Sequence, residues 1–101
     1  MEVIVSSGYG AGWSTWNMEH KIELATNEEL IKLIKGESTR KLEDILKEIT
    51  GEENPSIYMG GFSNCKIKEV PEGEAWWIDE YDGYESLHYG SSNVWGIAGK
   101  E

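Results

Sequence analysis

AWWIDEYDGYESLHY, residues 75–89, sets Asp82-Gly83 between two aromatic, alternating runs. An Asp-Gly pair in that setting predicts a β-hairpin with a type I′ turn, because both central residues of such a turn need φ > 0. The pairing follows from the turn: Tyr81 opposite Tyr84, Asp79 opposite Ser86, Trp77 opposite His88 and Trp76 opposite Tyr89. Alternation then sorts the side chains into two faces. Trp76, Ile78, Leu87 and Tyr89, with Glu80 and Glu85 near the tip, form the expected core face. Trp77, Asp79, Tyr81, Tyr84, Ser86 and His88 form the expected outward face.

Around this hairpin the chain has the composition of one small globular domain spanning residues 1–101, with 39% hydrophobic and 28% charged residues. Five Trp, five Tyr and one Phe argue against disorder. A single cysteine, Cys65, cannot close an internal disulfide, which suits a reducing cytoplasm. Val3-Ile4-Val5 is too short for a signal-peptide core, and no apolar run approaches the ~20 residues that span a bilayer. The net charge of −10 is uneven: Glu69 to Glu85 holds seven acids and no base. Such a segment repels nucleic acid and membrane surfaces and attracts a basic partner, besides aiding solubility.

Glu2–Ser6 reads as an opening strand. Gly8, Gly10 and Gly12 in SGYGAGWSTWN (7–17) hint at a dinucleotide loop, but Trp13 stands where the fingerprint needs glycine. A bent strand packing Tyr9, Trp13 and Trp16 on the sheet fits better. His20–Ala25 alternates and reads as a second strand beside the first. Thr26-Asn27-Glu28-Glu29 is a capping box opening a short helix that Gly36 ends. A second helix runs from Ser38 or Thr39 to Thr50, with Leu42, Ile45, Leu46 and Ile49 on one stripe. Arg40–Asp44 and Glu43–Lys47 are its expected i, i+4 ion pairs. Residues 52–64 form a loop with a short strand at Ser56–Met59. Cys65–Val70 and Asn93–Ala98 read as further strands. The expected fold is α+β: an antiparallel sheet of four to six strands, order β(β)ααβ(β)ββ, with two short helices on one face. Trp76, Tyr89, Trp95 and Phe62 are assigned to the core.

The blocks GYGAGWSTWN and VPEGE…IDEYDGYESL together resemble a group of short proteins of bacteriophages and prophages. The resemblance covers about a third of the chain. It implies a phage accessory protein in the bacterial host cytoplasm, of the kind that resists host defences as anti-CRISPR or anti-restriction proteins do. It supplies no site residues.

His20, His88 and Cys65 lack metal-ligand spacing, and no cofactor is expected. Asp79, Ser86 and His88 share a face, but neighbours on a flat strand do not aim a hydroxyl at an imidazole. Binding is the stronger expectation. In the first reading, the acidic patch of Glu69, Glu72, Glu74, Asp79, Asp82 and Glu85 imitates a phosphate backbone and occupies the basic groove of a nucleic-acid-binding defence protein. Tyr81 and Tyr84 on the outward face serve as aromatic anchors. In the second, Tyr9, Trp13, Trp16, Trp77 and His88 form a stacking cage for a nucleotide. A purely structural phage protein is the third. The closing strand is an expected sheet edge, through which a homodimer could form.

Overall fold

In a computed structural model, residues 1–90 and 94–99 are described. Five strands and three α-helices follow the order β1 (Glu2–Ser6), α1 (Lys21–Thr26), α2 (Glu28–Ile34), α3 (Leu42–Thr50), β2 (Cys65–Glu69), β3 (Ala75–Tyr81), β4 (Tyr84–Tyr89) and β5 (Gly96–Ile97). Short 3₁₀ turns at Ser14–Trp16, Met18–His20 and Phe62–Asn64 join them. The fold is α+β, with every strand pairing antiparallel.

The hairpin forms in the expected register, from Tyr81 opposite Tyr84 to Trp76 opposite Tyr89. Asp82 (φ 49°) and Gly83 (φ 87°) take the left-handed conformations that a type I′ turn requires. Trp76 and Ile78 point into the core, and Leu87 packs against it. Tyr89 does not: it lies near the end of the hairpin and is 52% exposed.

The strands do not make one sheet. β1 and β2 pair as a two-stranded ribbon, while β4, β3 and β5 form a separate three-stranded sheet in that order. β1 lies between two cores. Its Val3 and Val5 pack against Trp76, Ile78, Val70 and Ala25, and its Ile4 packs with Trp13, Leu24, Leu30, Ile45 and Leu46. A strand buried on both faces reads as a continuous apolar run, which VIV is. The layers are therefore helices, ribbon and hairpin sheet.

Four local expectations are corrected. His20–Ala25 is helical from Lys21, not a strand. Six alternating residues cannot separate the two periods, and burial of adjacent Leu24 and Ala25 is a helical pattern. The place beside β1 is taken by β2. Second, Asn27 rather than Thr26 caps α2, accepting from the Leu30 amide at 3.0 Å. Thr26 still belongs to α1, where its hydroxyl donates to the Ile22 carbonyl. Third, α3 begins at Leu42, so Arg40 precedes it and bonds Glu29 and Glu48, while Lys47 meets Glu53. Fourth, Ser56–Met59 is irregular rather than a strand. At the closing strand, only Gly96–Ile97 pairs, with Trp76 and Ala75, and Asn93 lies outside the described residues.

Candidate interaction surface at the hairpin tip

The hairpin tip is locked to the glycine-bearing loop by one carboxylate. Glu85 is 2% exposed. Its Oε1 accepts from the Ser6 amide at 2.8 Å. Its Oε2 accepts from the amides of Trp13 (2.8 Å) and Thr15 (3.0 Å) and from the Thr15 hydroxyl (2.5 Å). Among the described residues no cation pairs with it. A buried charge persists only when its lone pairs are met, and charge-assisted amide bonds meet them here. The loop thus gathers backbone amides around an anion, as a phosphate loop does, but the anion is the chain's own. Gly83 tightens the same contact. A Cβ there would overlap the backbone of Ala11, and the Gly10 amide donates to the Asp82 carbonyl.

Asn17 secures the other end of the loop. Its Nδ2 donates to the carbonyls of Trp13 (2.8 Å) and Tyr58 (2.9 Å), and its Oδ1 accepts from the Tyr58 amide at 2.8 Å. One side chain serves both backbone groups of Tyr58, the role a neighbouring strand would otherwise fill. Trp13 is fully buried against Phe62, and its indole donates to the Leu24 carbonyl at 2.8 Å.

Two of the expected contact residues, Trp13 and Glu85, are consequently interior. The other aromatics stay at or near the surface but do not converge on a cage. Tyr9 stacks on Tyr84 at 5.1 Å, Trp77 on His88 at 4.7 Å, and Trp16 tilts against Tyr58 at 5.2 Å. Tyr81 stands at the tip, 78% exposed. No family model, curated protein or solved structure matches this chain.

The remaining acids also divide. Asp79 and Asp82 are exposed near the tip. Glu80, absent from the expected set, joins them, accepting from the Gly83 amide (2.9 Å) and the Trp16 indole (3.3 Å). Glu69, Glu72 and Glu74 lie toward the opposite end of the hairpin, and the first two face the N-terminal ammonium at 3.5 and 3.9 Å. At ~3.3 Å per residue, Glu74 and Asp82 are separated by more than ~20 Å. At the tip, exposed carboxylates lie beside exposed rings. Alternation put both Glu80 and Glu85 on the core face, yet only Glu85 is interior and Glu80 is exposed, so the pattern alone did not single out the buried carboxylate.

Burial, aided by the charge of Glu85, pushes the Cys65 thiol up to about 12. Its Sγ sits 3.4 Å from the Gly61 carbonyl, so it is a packed, protonated group at neutral pH.

Proposed function

We propose that this chain is a binding protein that engages a positively charged protein partner through the hairpin tip, in the manner of a decoy for a nucleic-acid-binding surface. The observation that carries the reading is the company of exposed Asp79 and Asp82 with exposed Tyr81, Tyr84 and Tyr9 on a turn held rigid by Glu85. Tyrosines are efficient interface anchors because they bury large area while losing few rotamers. The carboxylates steer a basic partner and set its orientation. A turn already fixed by four hydrogen bonds to Glu85 loses little entropy on binding. A phage origin and a host defence protein as target belong to the same proposal, through the resemblance of the two sequence blocks. The nucleotide cage has less support, since its rings are spent on separate pairs and the loop amides on Glu85.

Affinity capture from bacterial lysate tests the reading. The expected partner is basic, is retained in ~0.1 M salt and is weakened in ~0.5 M salt, where the Debye length has roughly halved. Asp79→Asn/Asp82→Asn and Tyr81→Ala should each release it with the fold intact. A partner that ignores both variants would place the binding surface elsewhere, and capture of nucleotides alone would replace this function with the cage.

A further inference from the structure

A second exposed apolar surface lies around the Trp16–Tyr58 contact, away from the outward face of the hairpin. Trp16, Met18, Tyr58 and Met59 are 39%, 55%, 45% and 43% exposed, although each is large and hydrophobic. They come from two segments far apart in sequence, tied by the double hydrogen bond between Asn17 and the Tyr58 backbone. Three of the four also line hollows. One, of about 180 Å³, has Trp16, Met18 and Ile57 on its wall, and the other, of about 320 Å³, has Leu46, Pro55 and Met59. Exposed apolar groups gathered in this way mark interaction surfaces, and unbranched methionine adapts to whatever fills the space beside it.

Charge indicates the occupant. Glu19 borders the smaller hollow, Glu43 and Glu53 border the larger, and Glu80 sits on the Trp16 indole. Lys47, beside the larger hollow, already meets Glu53 at 3.6 Å, so Glu19, Glu43 and Glu80 supply the net charge of the rim. An apolar strip with an acidic rim complements apolar side chains flanked by Lys or Arg. We propose that Trp16, Met18, Tyr58 and Met59 form a docking surface for a basic amphipathic segment of a partner protein. This surface is distinct from the Asp79, Tyr81 and Asp82 group at the hairpin tip, with Glu80 bordering both.

The chain contains three methionines, and Met1 packs on the other core cluster, so methyl NMR carries its own reference. The probe is the Leu/Lys peptide acetyl-LKKLLKLLKKLLKL-amide, with oligolysine of equal charge as control. Titration should shift the Met18 and Met59 methyls and leave Met1 unmoved. Met18→Ser/Met59→Ser should weaken binding by at least about tenfold, the scale of interface anchors, while leaving the backbone spectrum unchanged. Asp79→Asn/Asp82→Asn should bind the peptide as the parent does. The proposal is overturned if the methyls do not respond, if oligolysine shifts them equally, or if the serine variant binds unchanged. Methyl shifts that follow protein concentration without peptide would also overturn it, by assigning the strip to a second copy of the chain.

Discussion

Glu85 shows how one residue can organise a loop without joining a contact surface. Its four accepted hydrogen bonds gather Ser6, Trp13 and Thr15 around one side chain. Glu85→Gln keeps the shape but turns one acceptor into a donor facing donors. Hydrogen bonds to charged groups contribute ~1.5–3 kcal/mol each, and the variant should lose about 3 kcal/mol in urea unfolding, with Trp13 becoming more exposed to quenchers. A loss below ~0.5 kcal/mol, the range of ordinary surface substitutions, would show that the nest is not a stabilising contact. Cys65 supplies a pH prediction. With the folded thiol at about 12, against an ordinary value of 9.0, the unfolded chain ionises first as pH rises. This group's stabilising effect is complete below about 9 and is lost progressively toward about 12. The stability difference between the parent and Cys65→Ala should therefore shrink from pH ~8 to pH ~10, measured by urea unfolding. Iodoacetamide at pH ~8 should label Cys65 slowly until urea is added, because the thiolate is the reactive form.

At the scale of elements, the hairpin was legible and α1 was not. Asp-Gly between alternating runs specifies turn, register and face together, because each depends only on neighbours along the chain. Gly83 meets two constraints, φ 87° and the close approach of Ala11. Gly83→Ala should cost about 2 kcal/mol or more, since the left-handed penalty alone is ~1–2 kcal/mol. Asp82→Gly, at φ 49°, should change stability by much less. Comparable thermal midpoints for the two variants would contradict the docking of loop on turn. For His20–Ala25 the alternation was genuine but short, and the segment is helical from Lys21. Lys, Glu, Leu and Ala favour helix intrinsically, and the neighbours in space resolved the ambiguity.

Across the whole molecule, β1 joins the two cores, with Ile4 facing one and Val3 and Val5 the other. Ile4→Ala should lose ~2–5 kcal/mol, the range for truncating a large core side chain. Because the same strand closes both clusters, tryptophan fluorescence and far-UV circular dichroism should report one shared midpoint. Separate midpoints would mean that the clusters unfold independently. The division into two sheets was not legible, because alternation tells which residues share a face but not which strands are neighbours. The sequence by itself determined the α+β class, the hairpin with its register, and the apolar stripe of α3, since all three are set by local periodicity and turn chemistry. Only the tertiary structure decided that Glu85 and Trp13 are interior, that β1 is covered on both faces, and that Trp16 and Tyr58 meet. Those facts depend on segments some 40 to 80 residues apart (|i−j| = 41 for Asn17–Tyr58, 79 for Ser6–Glu85), where packing and hydrogen-bond satisfaction, rather than local preference, select the arrangement.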